Sequence, residues 1–265
     1  MRTLTQPREQ IPARCLVIGH RGAAATCPEN TLFSFVTARD TGAHMIELDV
    51  QQSVDEKLIV FHDETLERLC REPTTVGSLP ESVLMTKVVG QRNEQLVTIP
   101  SLAQVFSTLR DSLLYNVELK TDAIHYPGIE ARLVSLVRTY GLSDQVLVSS
   151  FNHESLRLVR QYDQQLSLGL LLDHAQAQQC GNCDGIVVRA REYACFSVHP
   201  EFSVLRDWPD LGARCHAAGL RIFPWTVDNE DDWRFLVEEV DVDGIITNDP
   251  GRLHGWLVKH AERHR

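Results

Sequence analysis

Short apolar runs alternate with longer amphipathic stretches along most of the chain. The runs are rich in aliphatic and β-branched residues, which favours buried strands, and the stretches between them have a helical spacing of apolar positions. This alternation is typical of parallel strands joined by crossover helices. Strands are predicted at residues 15–19, 45–50, 113–119, 146–149, 166–171, 195–198, 221–226 and 243–247. A closed TIM barrel, the (β/α)8 fold, needs this number of strands, so we predict an α/β protein of that fold.

One short stretch of this pattern is ambiguous. Residues 185–188 are β-like, but the residues that follow, 189–192, make the same stretch equally suitable for a helix. Both interpretations stay open at the level of the sequence.

The chain between the second and third predicted strands is longer than one helix and two loops require. It begins with a predicted strand at 58–61 and continues through an irregular, Pro- and Gly-containing stretch at 73–98, after which Ser101 is a suitable helix N-cap. We therefore expect a single barrel domain at residues 14–256, with a small insertion after the second strand within residues 63–100.

The charge of the chain limits its partners. The formal charge is −10 and the pI is about 5.5, so nucleic acid and anionic membranes would be repelled at long range. No apolar run is long enough for a signal peptide or a membrane span. We expect a soluble, cytoplasmic protein without a nucleic-acid partner or stable membrane insertion, whose oligomeric state the sequence leaves open.

Cysteine usage argues against a disulfide framework. Seven cysteines is an odd number in a chain without a secretory signal, and most are expected to be small buried hydrophobes. Only Cys180 and Cys183 are closely spaced, and a zinc site would need a second pair of ligands nearby. We interpret this pair as two thiols in a loop and leave a redox role open.

Carboxylates converge at the ends of two predicted strands. Glu47 and Asp49 in MIELDV share one face of the second strand, and Glu118 and Lys120 in NVELK share one face of the third. Inside a barrel such carboxylates are costly unless a cation neutralises them, and oxygen ligands suit Mg²⁺ or Ca²⁺. A solvated strand edge is the alternative for the carboxylates, and an ordinary ion pair is the alternative for Lys120.

Two histidines follow predicted strands near these carboxylates. His20 ends the first strand in IGHRG, and His62 follows LIVF in FHDET. Each alone is more typical of a polar residue that caps a strand, but a pair beside a metal site suits the proton transfers of phosphodiester hydrolysis. Arg21 offers a forked donor to phosphate oxygens, and Gly22 permits a tight turn near a ligand.

The ordered motifs of the chain resemble those of the glycerophosphodiester phosphodiesterase family. They are HRG, PENT, ELDV, HDETLER and ELK, followed by SSF, SVHP, AAGLRIFPWTVD and DGIITNDP, and together they cover residues 16–251. Asp228 stands where relatives often have Asn, and the insertion looks short.

The resemblance implies a set of roles for individual residues. Glu47, Asp49 and Glu118 would be metal ligands for Mg²⁺ or Ca²⁺, and His20 and His62 the acid and base in an order that the sequence leaves open. The remaining implied site residues are Arg21 and Lys120 at the phosphate, Glu29 and Asn30 in support, and His199, Trp225 and Phe151 near the glycerol or head group.

The implied activity is metal-dependent hydrolysis of a small glycerophosphodiester to glycerol 3-phosphate and an alcohol, with water or the glycerol 2-hydroxyl as the nucleophile. A lysophospholipid or phosphoinositide phosphodiesterase on the same barrel is an alternative, and it would need an apolar rim. Candidates for that rim in the insertion are Leu79, Val83, Leu84, Met85, Val88 and Val89. A catalytically silent barrel that binds phosphorylated ligands is a further alternative, since a fold does not guarantee chemistry.

Overall fold

The computed structural model describes residues 3–4, 14–92 and 94–263. The strands in this part of the chain are β1 (Leu16–Gly19), β2 (Met45–Gln52), β3 (Leu58–Val60), β4 (Val88–Arg92), β5 (Gln95–Thr98), β6 (Leu114–Leu119), β7 (Val146–Ser150), β8 (Ser167–Leu172), β9 (Ser197–Pro200), β10 (Arg221–Ile222) and β11 (Gly244–Thr247). The α-helices are α1 (Leu32–Asp40), α2 (Glu67–Cys70), α3 (Glu81–Leu84), α4 (Leu102–Leu109), α5 (Ile129–Tyr140), α6 (His153–Tyr162), α7 (His174–Cys180), α8 (Cys183–Glu192), α9 (Phe202–Asp207), α10 (Leu211–Ala217), α11 (Glu230–Phe235) and α12 (Pro250–Arg263).

Eight parallel strands form a nearly closed barrel. Their order is β10, β9, β8, β7, β6, β2, β1 and β11. The two ends of the sheet meet through backbone hydrogen bonds, from Asp243 N to Ile222 O at 3.1 Å and from Ile246 N to Pro224 O at 3.0 Å. The predicted TIM-barrel fold is therefore confirmed.

The structure resolves the ambiguous stretch at 185–188 as part of helix α8. Asn182 caps this helix by accepting a hydrogen bond from Gly185 N at 2.9 Å. A Cβ at Gly185 would lie 2.0 Å from the carbonyl oxygen of Cys180, so glycine permits the close approach of α7 and α8.

One predicted strand differs from the structure, and one predicted helix cap agrees with it. The strand predicted at 221–226 is shorter than expected and ends at Ile222, and Pro224, which has no N–H group, cannot donate to a ladder. Ser101 caps α4 in a capping box with Gln104, as predicted.

The alternation of strand side chains divides the core into two layers. Ile46, Leu48 and Val50 of β2 pack outward in the layer between strands and helices, and Met45 packs inside the barrel. The inner layer also contains Leu4, Leu16, Ile18, Leu114, Leu147, Phe223 and Ile246. Because Glu47 and Asp49 share the parity of Met45, both carboxylates point into the barrel.

The segment between β3 and α4 carries its own small apolar cluster. The strand predicted at 58–61 is present as β3, which pairs antiparallel with β2, and it is followed by α2, α3 and the hairpin of β4 and β5. The cluster consists of Ile59, Phe61, Leu66, Val76, Leu84 and Ile99. The hairpin reaches the loop after β1, where a Cβ at Gly90 would lie 2.4 Å from Pro28 Cγ.

The sequence analysis made predictions about membrane spans and about the cysteines, and the described residues bear on both. Within residues 3–4, 14–92 and 94–263, no helix combines the length and apolar character that a bilayer crossing requires. All seven cysteines lie in this part of the chain, and Cys27, Cys70, Cys180, Cys183, Cys195 and Cys215 have free thiols. The prediction that Cys180 and Cys183 lie in a loop is wrong, because Cys180 ends α7 and Cys183 begins α8.

Candidate active site

Three carboxylates meet where β2 and β6 run side by side. Asp49 pairs in register with Glu118, and Glu47 lies two residues before Asp49 on the same face of β2. All three side chains are buried, and one oxygen from each lies within 4.8 Å of the others. The predicted convergence of strand ends thus brings the three predicted metal ligands together.

The electrostatics of this cluster fit a cation. Burial, followed by repulsion from Asp49 and Glu118, raises the pKa of Glu47 well above its usual value. Burial and the charge of Asp49 raise the pKa of Glu118 to about 7. Among the described residues, Oε1 of Glu47 has no hydrogen-bond partner. A buried carboxylate oxygen left in this way suits a hard divalent ion, which prefers oxygen ligands.

Asp49 differs from the other two carboxylates. Burial opposes its ionisation, but the charge of Arg21 leads a set of interactions that together keep the pKa of Asp49 below its usual value. Asn30 Nδ2 also donates to Asp49 Oδ2 at 2.7 Å. Asp49 is therefore held ionised within the cluster.

The loop after β1 wraps Arg21 around the carboxylates. The backbone N–H of Arg21 donates to Glu47 Oε2 at 2.8 Å, and its side-chain Nη1 donates to Glu29 Oε1 at 2.7 Å. The Nε of Arg21 lies 3.3 Å from Asp49 Oδ2. Arg21 has a φ of 50°, and the next residue, Gly22, has a φ of 88°. A Cβ at Gly22 would lie 2.3 Å from Ser34 Oγ, so this turn requires glycine.

His20 directly follows β1, and its two ring nitrogens have different surroundings. Nδ1 lies 2.7 Å from Asn248 Oδ1, and Nε2 lies 4.0 Å from Glu47 Oε2. Burial, followed by the charge of Arg21, lowers the pKa of His20 below its usual value, which favours the neutral ring.

A chain of charged contacts connects His62 with Arg21. His62 Nδ1 lies 2.7 Å from Asp63 Oδ1, and Arg68 donates to Asp63 Oδ2 from Nε at 2.5 Å. Arg68 also donates from Nη2 to Glu29 Oε1 at 2.7 Å, and Glu29 accepts from Arg21. Arg68 therefore holds the histidine and the arginine in one network.

A cavity of about 70 Å³ opens over the carboxylates. Lys120 Nζ donates to Glu118 Oε1 at 2.8 Å, and Phe151 and Trp225 stand edge to face with ring centroids 5.5 Å apart. The residues that line the cavity are His20, Arg21, Glu47, His62, Asn116, Glu118, Lys120, Phe151, Leu171, Trp225 and Ile246. A larger cavity of about 380 Å³ shares His62 and Lys120 with it.

His199 is more completely buried than the other predicted site residues. It is fully buried, its Nε2 lies 2.7 Å from Ser197 Oγ, and its ring packs on Phe223. Its side chain is not part of the cavity wall among the described residues, but its carbonyl oxygen accepts from Trp225 Nε1 at 2.9 Å. The backbone of His199, and not its imidazole, thus contacts the cavity wall.

Several polar residues of the site had no role assigned from the sequence. Asp63 and Arg68 lie in HDETLER, and Asn248 lies in the final motif, so their letters were visible but their contacts were not. Asn116, which accepts from Ser149 Oγ at 2.8 Å, could have been found from its position on the same face of β6 as Glu118.

The position of this site agrees with the architecture. Parallel barrels have their active sites at the carboxyl ends of the strands, and His20, Asp49 and Glu118 all lie at or near these ends. The fold and the position of the site define a protein of the (β/α)8-barrel class with a cluster of buried carboxylates and two histidines at the carboxyl end of its strands.

Comparison with known proteins specifies the class further. The sequence model of the glycerophosphoryl diester phosphodiesterase family matches residues 20–252. A glycerophosphodiester phosphodiesterase from Caldanaerobacter subterraneus is 37% identical over 93% of this chain and 99% of its own length. The chain therefore belongs to the glycerophosphoryl diester phosphodiesterase family, and it is an enzyme of that family.

Solved structures support the same fold. One from Galdieria sulphuraria is 26% identical, covers 92% of this chain and 98% of its own, and has a TM-score of 0.81. A phosphodiesterase from Oleispira antarctica, solved in complex with the product sn-glycerol-3-phosphate, has a TM-score of 0.80 at 24% identity and covers 92% of this chain and 96% of its own.

Proposed function

We propose that this enzyme hydrolyses small glycerophosphodiesters to glycerol 3-phosphate and an alcohol, with a divalent cation bound by Glu47, Asp49 and Glu118. The observation that carries the proposal is the buried carboxylate cluster, with the partnerless Glu47 Oε1, beside two histidines at the cavity. The family match and the 37% identical relative, itself a glycerophosphodiester phosphodiesterase, support the substrate class.

The oxygen ligand set suits Mg²⁺ and Ca²⁺ alike. When bound, such an ion withdraws charge from the phosphate oxygens and so favours attack at phosphorus. Around it, Arg21 and Lys120 supply hydrogen bonds to the nonbridging oxygens of the substrate. Glu29 and Asn30 support the site by holding Arg21 and Asp49 in place.

We assign the role of general base to His20. Burial favours its neutral ring, and the amide oxygen of Asn248 is an acceptor that suits an N–H at Nδ1. The lone pair is then on Nε2, which is the nitrogen on the Glu47 side of the ring. There it takes the proton of the attacking hydroxyl, which belongs either to water or to the glycerol 2-hydroxyl.

We assign the role of general acid to His62. Its Nδ1 faces the Asp63 carboxylate, which can balance a positive charge on the ring. His62 also borders the cavity of about 380 Å³, which has room for the leaving alcohol. The ring can therefore give its Nε2 proton to the alkoxide oxygen as the bond from phosphorus breaks.

The glycerol portion of the substrate would pack against the aromatic wall of the smaller cavity. Phe151 and Trp225 present apolar surface there, and the backbone carbonyl of His199 fixes the indole of Trp225. We propose that His199 affects the substrate through this contact and that its ring has a packing role.

The lysophospholipid alternative has less support from the segment between β3 and α4. Of the candidate rim residues, Leu84 is part of the segment's own core, and Leu79 and Val89 pack against that core. Met85 is half-buried, and Val83 and Val88 are 37% and 38% exposed, which is a small apolar surface for an acyl chain. We also propose that residues 63–100 are a small insertion in one barrel domain at residues 14–256.

The test is product release from several substrates by the purified protein with Mg²⁺ or Ca²⁺. Glycerol 3-phosphate should form from glycerophosphocholine or glycerophosphoethanolamine. A lysophospholipid should release its head-group alcohol more slowly, with an acylated glycerol phosphate as the other product. His20→Gln and His62→Gln should each lower kcat by roughly 100- to 10,000-fold. A faster reaction with lysophospholipid would favour the alternative substrate class. If the wild type shows no turnover and the histidine variants bind phosphorylated ligands as the wild type does, the silent barrel would be favoured.

A further inference from the structure

Behind His20, on the Nδ1 side of its ring, two residues of the neighbouring loops form a hydrogen-bonded pair. Asn248 follows β11 and contacts the histidine directly. Asp228 precedes α11 and contacts Asn248 through both of its carboxylate oxygens. Neither residue is among the side chains that line the smaller cavity in the described part of the chain.

The donors around Asp228 determine which way the amide of Asn248 points. Asp228 Oδ1 accepts from Asn248 N and from Thr247 Oγ1, both at 2.8 Å, and Oδ2 accepts from Asn248 Nδ2 at 2.6 Å. A carboxylate accepts hydrogen bonds and does not donate them, so the NH₂ group of Asn248 must face Asp228. Its amide oxygen is thereby turned towards His20.

The amide oxygen in turn selects one form of the histidine. Asn248 Oδ1 lies 2.7 Å from His20 Nδ1 and can only accept, so the ring nitrogen that faces it must carry the proton. In a neutral imidazole the other nitrogen, Nε2, then has the lone pair. This nitrogen is directed to the side of Glu47, where the nucleophile would be activated.

We propose that Asp228 is a positioning residue that sets, through Asn248, the Nδ1–H tautomer of His20. The catalytic consequence rests on the proposed function, because it uses Nε2 of His20 as the base. The tautomer itself does not depend on that function. Among the described residues, Asp228 neither lines the smaller cavity nor bonds to the carboxylate cluster, and it acts through the amide of Asn248.

Asp228→Asn is the sharpest perturbation, because it keeps the shape of the side chain and replaces one acceptor by a donor. It also removes one negative charge, which the control variant below removes as well. The oxygen of the new side chain would accept from Asn248 N and Thr247 Oγ1, as Oδ1 does now. Its NH₂ group would then face Asn248 and require an acceptor, so the amide of Asn248 would rotate. His20 would meet an NH₂ donor and would have to move its own proton to Nε2.

A second substitution should reverse this change. In the double variant Asp228→Asn with Asn248→Asp, the NH₂ group at 228 donates to one carboxylate oxygen at 248. The other oxygen accepts from His20 Nδ1 again. Asp231→Asn serves as the control, because it removes a carboxylate from the same region whose partner is the exposed Arg234.

The experiment measures the imidazole tautomer by ¹⁵N and ¹³C NMR of histidine-labelled protein in mildly alkaline buffer. The His20 signal is assigned by its loss in His20→Gln. We expect Nδ1–H in the wild type, in Asp231→Asn and in the double variant, and Nε2–H in Asp228→Asn. If Asp228→Asn fails to fold, Asn248→Ala replaces it and should lose the single Nδ1–H form.

Kinetics give the second measurement. Asp228→Asn should lower kcat by roughly 10- to 100-fold, the usual effect of removing a group that orients a site residue, with KM changed less. The double variant should recover a substantial part of kcat, and Asp231→Asn should stay near the wild type.

Two outcomes would overturn the assignment. One is an Nδ1–H tautomer that persists in Asp228→Asn, and the other is a double variant that restores neither the tautomer nor kcat. A tautomer that changes as expected in a protein without activity on any glycerophosphodiester would support the assignment and refute the proposed function. A failure of the Asp228 assignment and a failure of the proposed function therefore give different results.

Discussion

The ammonium nitrogen of Lys120 lies 2.8 Å from Oε1 of Glu118, at the end of β6. Burial opposes the charge of Lys120, but Glu118 and Asp49 outweigh it and raise the pKa of the lysine above its usual value. The lysine is therefore a fixed cation that also lines the cavity. It partly neutralises the carboxylate cluster, and in the proposed function it also contacts the substrate phosphate.

Lys120→Met tests this double role, because methionine keeps much of the length of the side chain and removes its charge. We expect kcat/KM to fall roughly 100- to 1,000-fold, the effect of removing one preorganised donor to developing charge. Lys87→Met is the matched control, since Lys87 pairs with Glu72 away from the cavity. Steady-state kinetics on glycerophosphocholine checks the prediction, which fails if both variants behave alike.

Glu118→Gln should change how the stability of the metal-free protein depends on pH. The pKa of Glu118 is raised from 4.5 to about 7 in the folded chain, so between these values the folded state keeps a proton that the unfolded state releases. Unfolding thus becomes easier as the pH rises, by up to roughly 3 kcal/mol from this group. Glutamine does not ionise, so the variant lacks this contribution to the pH dependence of the unfolding free energy.

The measurement is the difference in unfolding free energy between Glu118→Gln and wild type in EDTA, followed from pH 4.5 to 7. The difference cancels contributions that both proteins share, including those of buried histidines. We expect it to shift in favour of the variant as the pH rises. A difference that does not change with pH would show that the carboxyl group is not destabilised by its surroundings.

Arg68→Lys should disturb catalysis although Arg68 does not line the smaller cavity. Lysine keeps the charge but cannot donate in fixed geometry to Asp63 and Glu29 at once, so both His62 and Arg21 lose support. We expect kcat to fall roughly 10-fold or more, as for other groups that orient site residues. Arg71→Lys, at an exposed position three residues on, is the control. Equal kinetics in the two variants would contradict the role of the network.

The fold was predictable because its strands are buried apolar runs with clear ends. The same reasoning brought Glu47, Asp49 and Glu118 together, since side chains at the carboxyl ends of neighbouring parallel strands must converge. The alternation of apolar and polar side chains along a strand shows which of its residues share a face. The residues of the site that lie on strands were therefore the easiest to find.

The hydrogen-bond networks around the histidines were not predictable. Whether Asp63 faces His62 or solvent, and whether Asn248 presents its oxygen or its nitrogen to His20, depends on loops whose conformation has no period in the sequence. The burial of His199 was also not predictable, because a motif shows the order of residues and not which of their side chains reach the cavity.

His199 offers a prediction that separates packing from substrate binding. Burial lowers the pKa of this imidazole from 6.5 to about 3, so below pH 6.5 the unfolded chain binds a proton that the folded chain does not. Stability is then lost as the pH falls, by an amount on the order of 4 kcal/mol down to pH 3. His199→Gln should reduce the acid sensitivity of unfolding.

The same variant tests the substrate role of the ring. Because the contact with Trp225 uses the backbone carbonyl of His199, we expect KM in His199→Gln to stay within about threefold of wild type at neutral pH. A large rise in KM without a change in stability would instead place the imidazole at the substrate.

The most direct test of the account is glycerol 3-phosphate release from glycerophosphocholine by wild type and Glu47→Gln, before and after treatment with EDTA. We predict that wild type loses activity in EDTA and regains it when Mg²⁺ or Ca²⁺ is added back. Glu47→Gln should stay folded and show neither the activity nor the increase in melting temperature that the added ion causes in wild type. Full activity of wild type in EDTA, or of folded Glu47→Gln with metal, would contradict the claim that the carboxylate cluster holds a catalytic cation.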